Sequence, residues 1–168
     1  MRSRCTATPP APRAAPMTAE PRPPEPELAD AGVILPRSVA DALLAHARAE
    51  APNEACGLIA GDARRGVGAA YHPARNALAS PYRFDVHPED LVRILAEIEG
   101  AGGDLVAIVH SHPRSPAVPS AVDRREARYP VMQLVVSLRG DVPELRAWWI
   151  DGGDSREVPV RVEDDRPV

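Results

Sequence analysis

The side chains best suited to catalysis lie in one short stretch, with His110 and His112 followed by Ser120 and Asp123. Five apolar residues, 105–109, come directly before it and predict a strand that is covered on both faces. Side chains two positions apart in a strand point the same way, so both imidazoles can reach one point. Imidazole is a common zinc ligand, and Asp123 is the natural third ligand. Two histidines and one carboxylate would leave a fourth position for water, as in catalytic zinc sites.

The same residues also have structural interpretations. Ser120 is suited to cap the start of a helix, with Asp123 as an acid in its first turn. Two histidines at i and i+2 can simply line a solvated strand end. The two interpretations of Ser120 and Asp123 are compatible, because a capped helix start would itself fix the direction of the carboxylate.

The whole string resembles the signature of the JAMM (MPN+) metalloprotease family, His-x-His-Pro, six intervening residues and Ser-x-x-Asp. Its members in this sequence are His110, His112, Pro113, Ser120 and Asp123. The family also carries an upstream glutamate, and Glu54 matches its position and surroundings. The resemblance covers roughly residues 33–150. Several separated positions agree in order and spacing, so the resemblance is specific.

The resemblance implies a zinc-dependent hydrolase with assigned roles. The expected zinc ligands are His110, His112 and Asp123. Glu54 is expected to take a proton from the attacking water and return it to the leaving amine. Ser120 is expected to donate a hydrogen bond to the oxyanion of the tetrahedral intermediate. Without the resemblance, Glu54 would be interpreted as an exposed loop carboxylate.

The resemblance also suggests the substrate. JAMM enzymes of the ubiquitin system cut the isopeptide bond after a Gly-Gly tail, and their eukaryotic members carry insertions that hold ubiquitin. This chain has short connections and is similar to the stand-alone bacterial branch, whose members act on ubiquitin-like sulfur-carrier proteins and can release a C-terminal cysteine. We therefore expect a ubiquitin-like or sulfur-carrier protein as partner.

Two other functions compete with this one. A non-catalytic MPN scaffold would bind such partners without cutting them, but scaffolds of this kind typically lack one or more ligands, and here every expected ligand is present. A zinc deaminase would share the implied fold, but its signature includes Cys-x-x-Cys, which this sequence does not contain. The hydrolase is the favoured interpretation.

Length and composition limit the number of domains, the kinds of partner and the compartment that we expect. The 168 residues fit one domain, and a net charge of −4 gives no general attraction to nucleic acid or anionic membranes. The two cysteines, Cys5 and Cys56, predict no disulfide framework, and Cys56 is expected to be a small buried apolar residue. We see neither an apolar signal segment nor a membrane span, and we expect a cytoplasmic protein.

The predicted organisation is a disordered proline-rich tail at 1–28, a JAMM/MPN domain at 29–163 and a short tail at 164–168. The fold class is α/β, a three-layer mixed β-sheet flanked by helices, with the cytidine-deaminase-like fold that the resemblance implies. Periodicity predicts strands at 33–35, 56–60, 67–72, 82–86, 105–109, 131–137, 145–150 and, more weakly, 158–162. It also predicts helices at 38–49 with Ser38 as N-cap, from Pro88 with a buried stripe at Leu91, Val92, Leu95 and Ile98, and at 120–128.

Overall fold

The computed structural model describes residues 32–165, so the predicted tail at 1–28 lies outside the described residues. Three helices are interspersed among eight strands in this range, and the last four strands follow one another without a helix. The helices are α1 (Arg37–Glu50), α2 (Pro88–Gly100) and α3 (Ala121–Glu126). The strands are β1 (Val33–Pro36), β2 (Cys56–Asp62), β3 (Val67–Ala74), β4 (Asp104–His112), β5 (Met132–Ser137), β6 (Glu144–Asp151), β7 (Asp154–Val158) and β8 (Val160–Glu163).

All eight strands form one mixed sheet in the order β7-β6-β5-β4-β2-β3-β1-β8. Strand β4 lies near the centre, antiparallel to β2 and parallel to β5. Its parallel pairing with β5 requires a crossover, and the loop 113–120 and helix α3 supply it. Because β4 has neighbours on both sides, its C-terminal end is held in place where the His-x-His segment lies.

Helices cover both faces of the sheet. Leu43 of α1 packs with Ile59 of β2 in the larger apolar core. Leu58, the preceding residue of β2, points to the opposite face and packs with Ile94 of α2. The predicted three-layer α/β architecture with a mixed sheet is confirmed. No helix within residues 32–165 has the length and apolar character needed to cross a membrane.

The predicted N-cap of α1 is wrong. The helix begins at Arg37 after Pro36, and no side chain caps it locally. The Ser38 hydroxyl instead donates to the Asp165 carboxylate at 2.9 Å, and the Ser38 N–H lies 3.3 Å from the same group. A carboxylate distant in sequence therefore satisfies the first turn, which local capping rules cannot anticipate. This contact also ties two residues of the predicted C-terminal tail, Asp164 and Asp165, to α1, since Asp164 pairs with Arg37.

The predicted strand at 82–86 is also wrong. This segment is a loop with one isolated bridge, between Asn76 and Val86. The Asn76 side chain accepts from the Asp85 N–H at 3.1 Å and donates to the Arg83 carbonyl at 3.0 Å. These bonds take the backbone groups that a strand partner would need, so the alternating pattern ends in a loop.

Helix α2 is present, but its buried face is rotated from the predicted one. Ile98 is buried as predicted, whereas Val92 is 70% exposed and Ile94 is fully buried. The rotation places Asp90 under the preceding loop, where its carboxylate accepts three hydrogen bonds from Arg75, two at 2.9 Å and one at 3.0 Å. The weak strand predicted at 158–162 divides into β7 and β8 at Pro159. Helix α3 ends at Glu126, two residues short of the prediction.

Candidate metal centre

The two histidines lie at the C-terminal end of β4, and both are almost fully buried. His110 is 1% exposed and His112 is 5% exposed. Strand alternation directs both rings to the face that α2 and α3 cover. The buried strand thus delivers two imidazoles to one side of the sheet, as the sequence predicted.

Helix α3 begins with a capping box. The Asp123 N–H donates to Ser120 Oγ at 3.1 Å, and the Ser120 N–H donates to Asp123 Oδ2 at 2.6 Å. The two bonds satisfy two helix-terminal N–H groups and fix the rotamer of Asp123. The predicted capping role of Ser120 is confirmed, and the cap directs the Asp123 carboxylate toward the histidines.

Three electron-pair donors converge on one point. His110 Nε2 and His112 Nε2 are 3.1 Å apart, and each lies 3.5 Å from Asp123 Oδ2. These residues form the metal-capable group found within residues 32–165. We call them the triad. Two imidazole nitrogens facing each other at this distance repel unless a proton or a cation lies between them.

The tautomer of His112 favours metal binding. Its Nδ1 lies 2.7 Å from the Pro116 carbonyl, an acceptor, so Nδ1 carries the proton. In the neutral ring, Nε2 then presents a lone pair to the triad. A carbonyl that orients a histidine in this way is a usual feature of metal sites.

The donor set fits zinc. Ligand atoms about 2.0–2.1 Å from a tetrahedral zinc ion are about 3.3 Å from one another. The separations in the triad, 3.1 Å and twice 3.5 Å, bracket that value. Two histidines and one carboxylate are also a ligand set of catalytic zinc sites.

The pKa shifts of the triad residues determine which of them can bind a metal ion without first losing a proton. Burial lowers the pKa of His110, which keeps its ring neutral. Burial also opposes ionisation of Asp123, but the adjacent imidazoles His110 and His112 outweigh it and hold the pKa of Asp123 well below its usual range. Burial opposes protonation of His112, but its contacts with Asp123 and the Pro116 carbonyl outweigh burial and raise its pKa. The triad therefore offers an anionic Asp123 and a neutral His110, and a metal ion bound here would displace the proton that the raised pKa favours on His112.

Glu54 is held beside the triad by its neighbours in the chain. The Ala55 N–H donates to the Ser111 hydroxyl at 2.8 Å, and the Ser111 N–H donates to the Ala55 carbonyl at 2.9 Å. The Glu54 N–H donates to the Ser80 carbonyl at 2.8 Å, and its carbonyl accepts from Asn76 at 3.0 Å. The segment that carries Glu54 is thus fixed to the residue between the two histidines.

The Glu54 side chain is buried without a full set of partners. The residue is 4% exposed, and its Oε2 atom has no hydrogen-bond partner among residues 32–165. Burial raises its pKa to about 7, with a smaller opposing effect from His112. A carboxyl group that titrates near neutrality can both accept and return a proton. The alternative of an exposed loop carboxylate is excluded.

Sequence reasoning missed three residues that shape the site. Phe84 stacks on the His110 ring, with centroids 4.4 Å apart and planes inclined by 14°. Ser111 holds the Glu54 segment, and the Pro116 carbonyl orients His112. Phe84 is the only phenylalanine in the chain, but nothing in its local sequence indicates the contact with His110.

The remaining reactive side chains lie outside the triad. Cys56 is fully buried and burial raises the pKa of its thiol to about 12, so it is the small buried residue that we expected. His46 contacts the Tyr71 hydroxyl at 2.8 Å, and His72 lies 3.6 Å from Glu97. His87 lies 3.3 Å from Arg75. Each of these three histidines has polar contacts of its own, and none of them belongs to the triad.

Residues 36–151 match the family model described as prokaryotic homologs of the JAB domain. The chain belongs to this family. The matched range contains Glu54 and the triad, and the predicted JAMM membership is confirmed.

Individual relatives agree with this assignment. The chain is 41% identical over 129 residues to the desampylase of Haloferax volcanii, covering 73% of this chain and 91% of the relative. It is 31% identical over 132 residues to the CysO-cysteine peptidase of Mycobacterium tuberculosis, covering 77% of this chain and 90% of the relative. The solved structure of protein DSY2949 from Desulfitobacterium hafniense superposes with a TM-score of 0.74 at 29% identity, covering 79% of this chain and 94% of that one.

Proposed function

We propose that the protein is a zinc metallopeptidase of the JAMM type that hydrolyses the amide bond after the C-terminal Gly-Gly of a ubiquitin-like or sulfur-carrier protein. The bond to a single C-terminal cysteine is included. The observation that carries the proposal is the convergence of His110, His112 and Asp123 beside a buried glutamate. We also propose that the protein acts in the cytoplasm.

In this mechanism His110, His112 and Asp123 hold the zinc ion. When bound, zinc would lower the pKa of a coordinated water from about 15.7 toward about 7. Glu54 accepts the proton of the attacking water and then delivers it to the leaving amine. A nearby dication favours the ionised form of Glu54, which is the form that accepts a proton.

Ser120 has a hydroxyl proton available for catalysis. Its Oγ accepts the Asp123 N–H as part of the helix cap, and this bond uses only a lone pair. The hydroxyl can therefore donate to the oxyanion that forms when water attacks the carbonyl. A donor of this kind commonly lowers the activation barrier by about 3 kcal/mol, which is roughly 100-fold in rate.

The relatives support the substrate class. The names desampylase and CysO-cysteine peptidase both describe removal of a group from a partner protein, and the chain covers about nine-tenths of each relative. The short connections between elements leave little room for the ubiquitin-holding insertions of eukaryotic members. A Gly-Gly tail suits such a compact site, because it can bond through its backbone and pass a narrow cleft without side chains.

The test is cleavage of a ubiquitin-like carrier that ends in Gly-Gly and is extended by one cysteine. Mass spectrometry of the carrier should show trimming back to Gly-Gly, and a chelator should stop the reaction. The Glu54→Gln variant should retain its metal and lose at least about 100-fold in turnover, since the amide cannot accept a proton. Loss of metal together with activity would make Glu54 a ligand or a structural residue instead.

A second carrier tests the Gly-Gly requirement. Replacing the penultimate glycine of the carrier by valine should block cleavage, because a β-branched side chain would crowd a cleft suited to bare backbone. If the metal-loaded protein binds carriers but never shortens them, the protein is a scaffold. Equal cleavage of the valine carrier would preserve the hydrolase and remove the Gly-Gly specificity.

A further inference from the structure

A cavity of about 300 Å³ adjoins the triad on the covered face of the sheet, and Asp123 is part of its lining. Its floor consists of Ile108 of β4 and Gln133 of β5, which are register partners. Its apolar walls come from the loop after β3 and from helices α2 and α3, including Phe84, Leu91 and Val122. The volume is at the lower end of the range for small-molecule sites, about 300–1,000 Å³.

Gln133 is the polar residue of the cavity floor. The residue is 5% exposed, and it lines the cavity. Its side-chain amide carries two N–H donors and one carbonyl acceptor. Gln133 therefore gives the cavity a group that can hydrogen-bond a polar ligand.

The charged residues around the cavity are unevenly matched. Arg83 and Glu126 form an ion pair at 3.0 Å. Arg128 and Asp85 also line the cavity, and neither side chain has an ion-pair partner in the described range 32–165. With the first pair neutralised and Asp123 directed to the triad, one cation and one anion remain. This combination matches a ligand that carries a carboxylate and an amine.

We propose that this cavity binds the leaving residue of the substrate as a C-terminal amino acid, with its α-carboxylate at Arg128 and a hydrogen bond to Gln133. The proposal rests on the proposed function and specifies its substrate class. Water adds across the amide, the carrier keeps the glycine carboxylate, and the residue leaves with a free amine. Asp85 can then contact that amine, which becomes an ammonium group on release.

The proposal separates two substrate classes of the same reaction. A carrier extended by one residue ends in a free carboxylate that can pair with Arg128. A carrier joined to a lysine side chain has no carboxylate at the equivalent position, and the lysine is attached to a second protein. The lining of the cavity therefore favours removal of a single terminal residue over cleavage of a conjugate between two proteins.

The first experiment compares three carriers with the zinc-loaded full-length protein. One ends in Gly-Gly-Cys with a free carboxylate, the second ends in the corresponding cysteine amide, and the third is linked by an isopeptide bond to Nα-acetyl-lysine amide. We expect kcat/KM for the free acid to exceed that of the other two by about tenfold or more, because a charge-assisted contact is lost in both. Equal values, or preference for the isopeptide, would overturn the proposal.

Variants assign the effect to the cavity. Arg128→Gln should reduce the acid-to-amide ratio toward one, chiefly through KM, and Arg128→Lys should restore part of it. Arg125→Gln is the matched control, since Arg125 is an exposed arginine of α3 that does not line this cavity. Gln133→Leu should raise KM for the acid substrate. An unchanged ratio in Arg128→Gln would place the carboxylate elsewhere.

A binding measurement keeps the test independent of turnover. In amide-proton NMR spectra of the zinc-loaded protein, N-acetyl-L-alanine should shift the Gln133 side-chain NH₂ signals, and N-acetyl-L-alaninamide should bind at least about tenfold more weakly. Absence of any shift at Gln133 would overturn the proposal even if carriers are cleaved. If no carrier is cleaved but the acid probe binds selectively, the proposed function fails and the amino-acid site remains.

Discussion

On one face of strand β4, Ala107 and Val109 pack into the apolar core beneath α1. On the other face, His110 and His112 belong to the triad, and Ile108 forms part of the floor of the adjoining cavity. The two sets alternate along a single strand, so the backbone treats them alike. What differs is the layer that each face meets.

The face of β4 that packs beneath α1, which we call the core face, is closed to solvent. Its residues contact apolar side chains from α1 and from neighbouring strands, including Leu43, Ile59 and Leu134, all at most 1% exposed. The opposite face, which carries the triad and which we call the cleft face, instead retains polar atoms without hydrogen-bond partners among residues 32–165, namely Glu54 Oε2 and His110 Nδ1. Such groups are unfavourable for folding, and they concentrate where chemistry or binding needs them. The apolar packing of the core face therefore stabilises the fold, whereas the unpartnered polar atoms of the cleft face reduce its stability.

The largest expected effect comes from the cleft face. His110→Ala or His112→Ala should reduce metal content from about one zinc per chain to a small fraction and abolish peptidase activity, because two remaining ligands cannot hold the ion tightly. His46→Ala is the matched control, since His46 is a histidine of α1 that contacts Tyr71. Elemental analysis measures the metal. Full zinc occupancy in both triad variants would contradict the assigned ligands.

The reciprocal change is made on the core face. Leu43→Ala removes a fully buried side chain of α1 and should reduce the free energy of unfolding by about 2–5 kcal/mol. At temperatures where the variant is folded, its zinc content and turnover should match those of the parent. Denaturant unfolding and elemental analysis provide the two readouts. If zinc is lost while stability is unchanged, the two faces are not separate in function.

A smaller effect tests whether the cleft face is purely functional. Asp90 of α2 accepts hydrogen bonds from Arg75, and these lower the pKa of the Asp90 carboxyl well below its usual range. A depressed pKa contributes stability that is present above the unfolded value of about 4 and is lost as the pH falls below it. Asp90→Asn should therefore melt a few degrees lower than the parent at pH 7.

Thermal melts across pH check this expectation. The difference in melting temperature between Asp90→Asn and the parent should narrow as the pH is lowered from about 5 toward 2, because below about pH 4 the unfolded parent binds a proton at Asp90 that the folded parent, with its lowered pKa, does not bind. A constant difference would show that the carboxylate charge is not what stabilises the loop. Zinc content at pH 7 should be the same in both proteins.

The sequence by itself determined the parts of this protein that depend on local rules. Alternation in β4 directs His110 and His112 to one side, and the capping box of Ser120 and Asp123 orients the carboxylate within one turn. All of the triad lies within a span of 14 residues, so few long-range contacts are needed to specify it. For that reason the grouping of these three side chains could be predicted from the sequence alone.

Tertiary structure decided what lies around the triad. Glu54 reaches the site because Ala55 bonds to Ser111, 56 residues away. The Phe84 stack on His110 and the position of Gln133 under the cavity likewise depend on contacts between distant segments. Long-range contacts also reversed local signals, since Asp165 replaced the predicted cap of α1. Local patterns carry no information about which remote group satisfies a given donor, and only the folded chain determines that pairing.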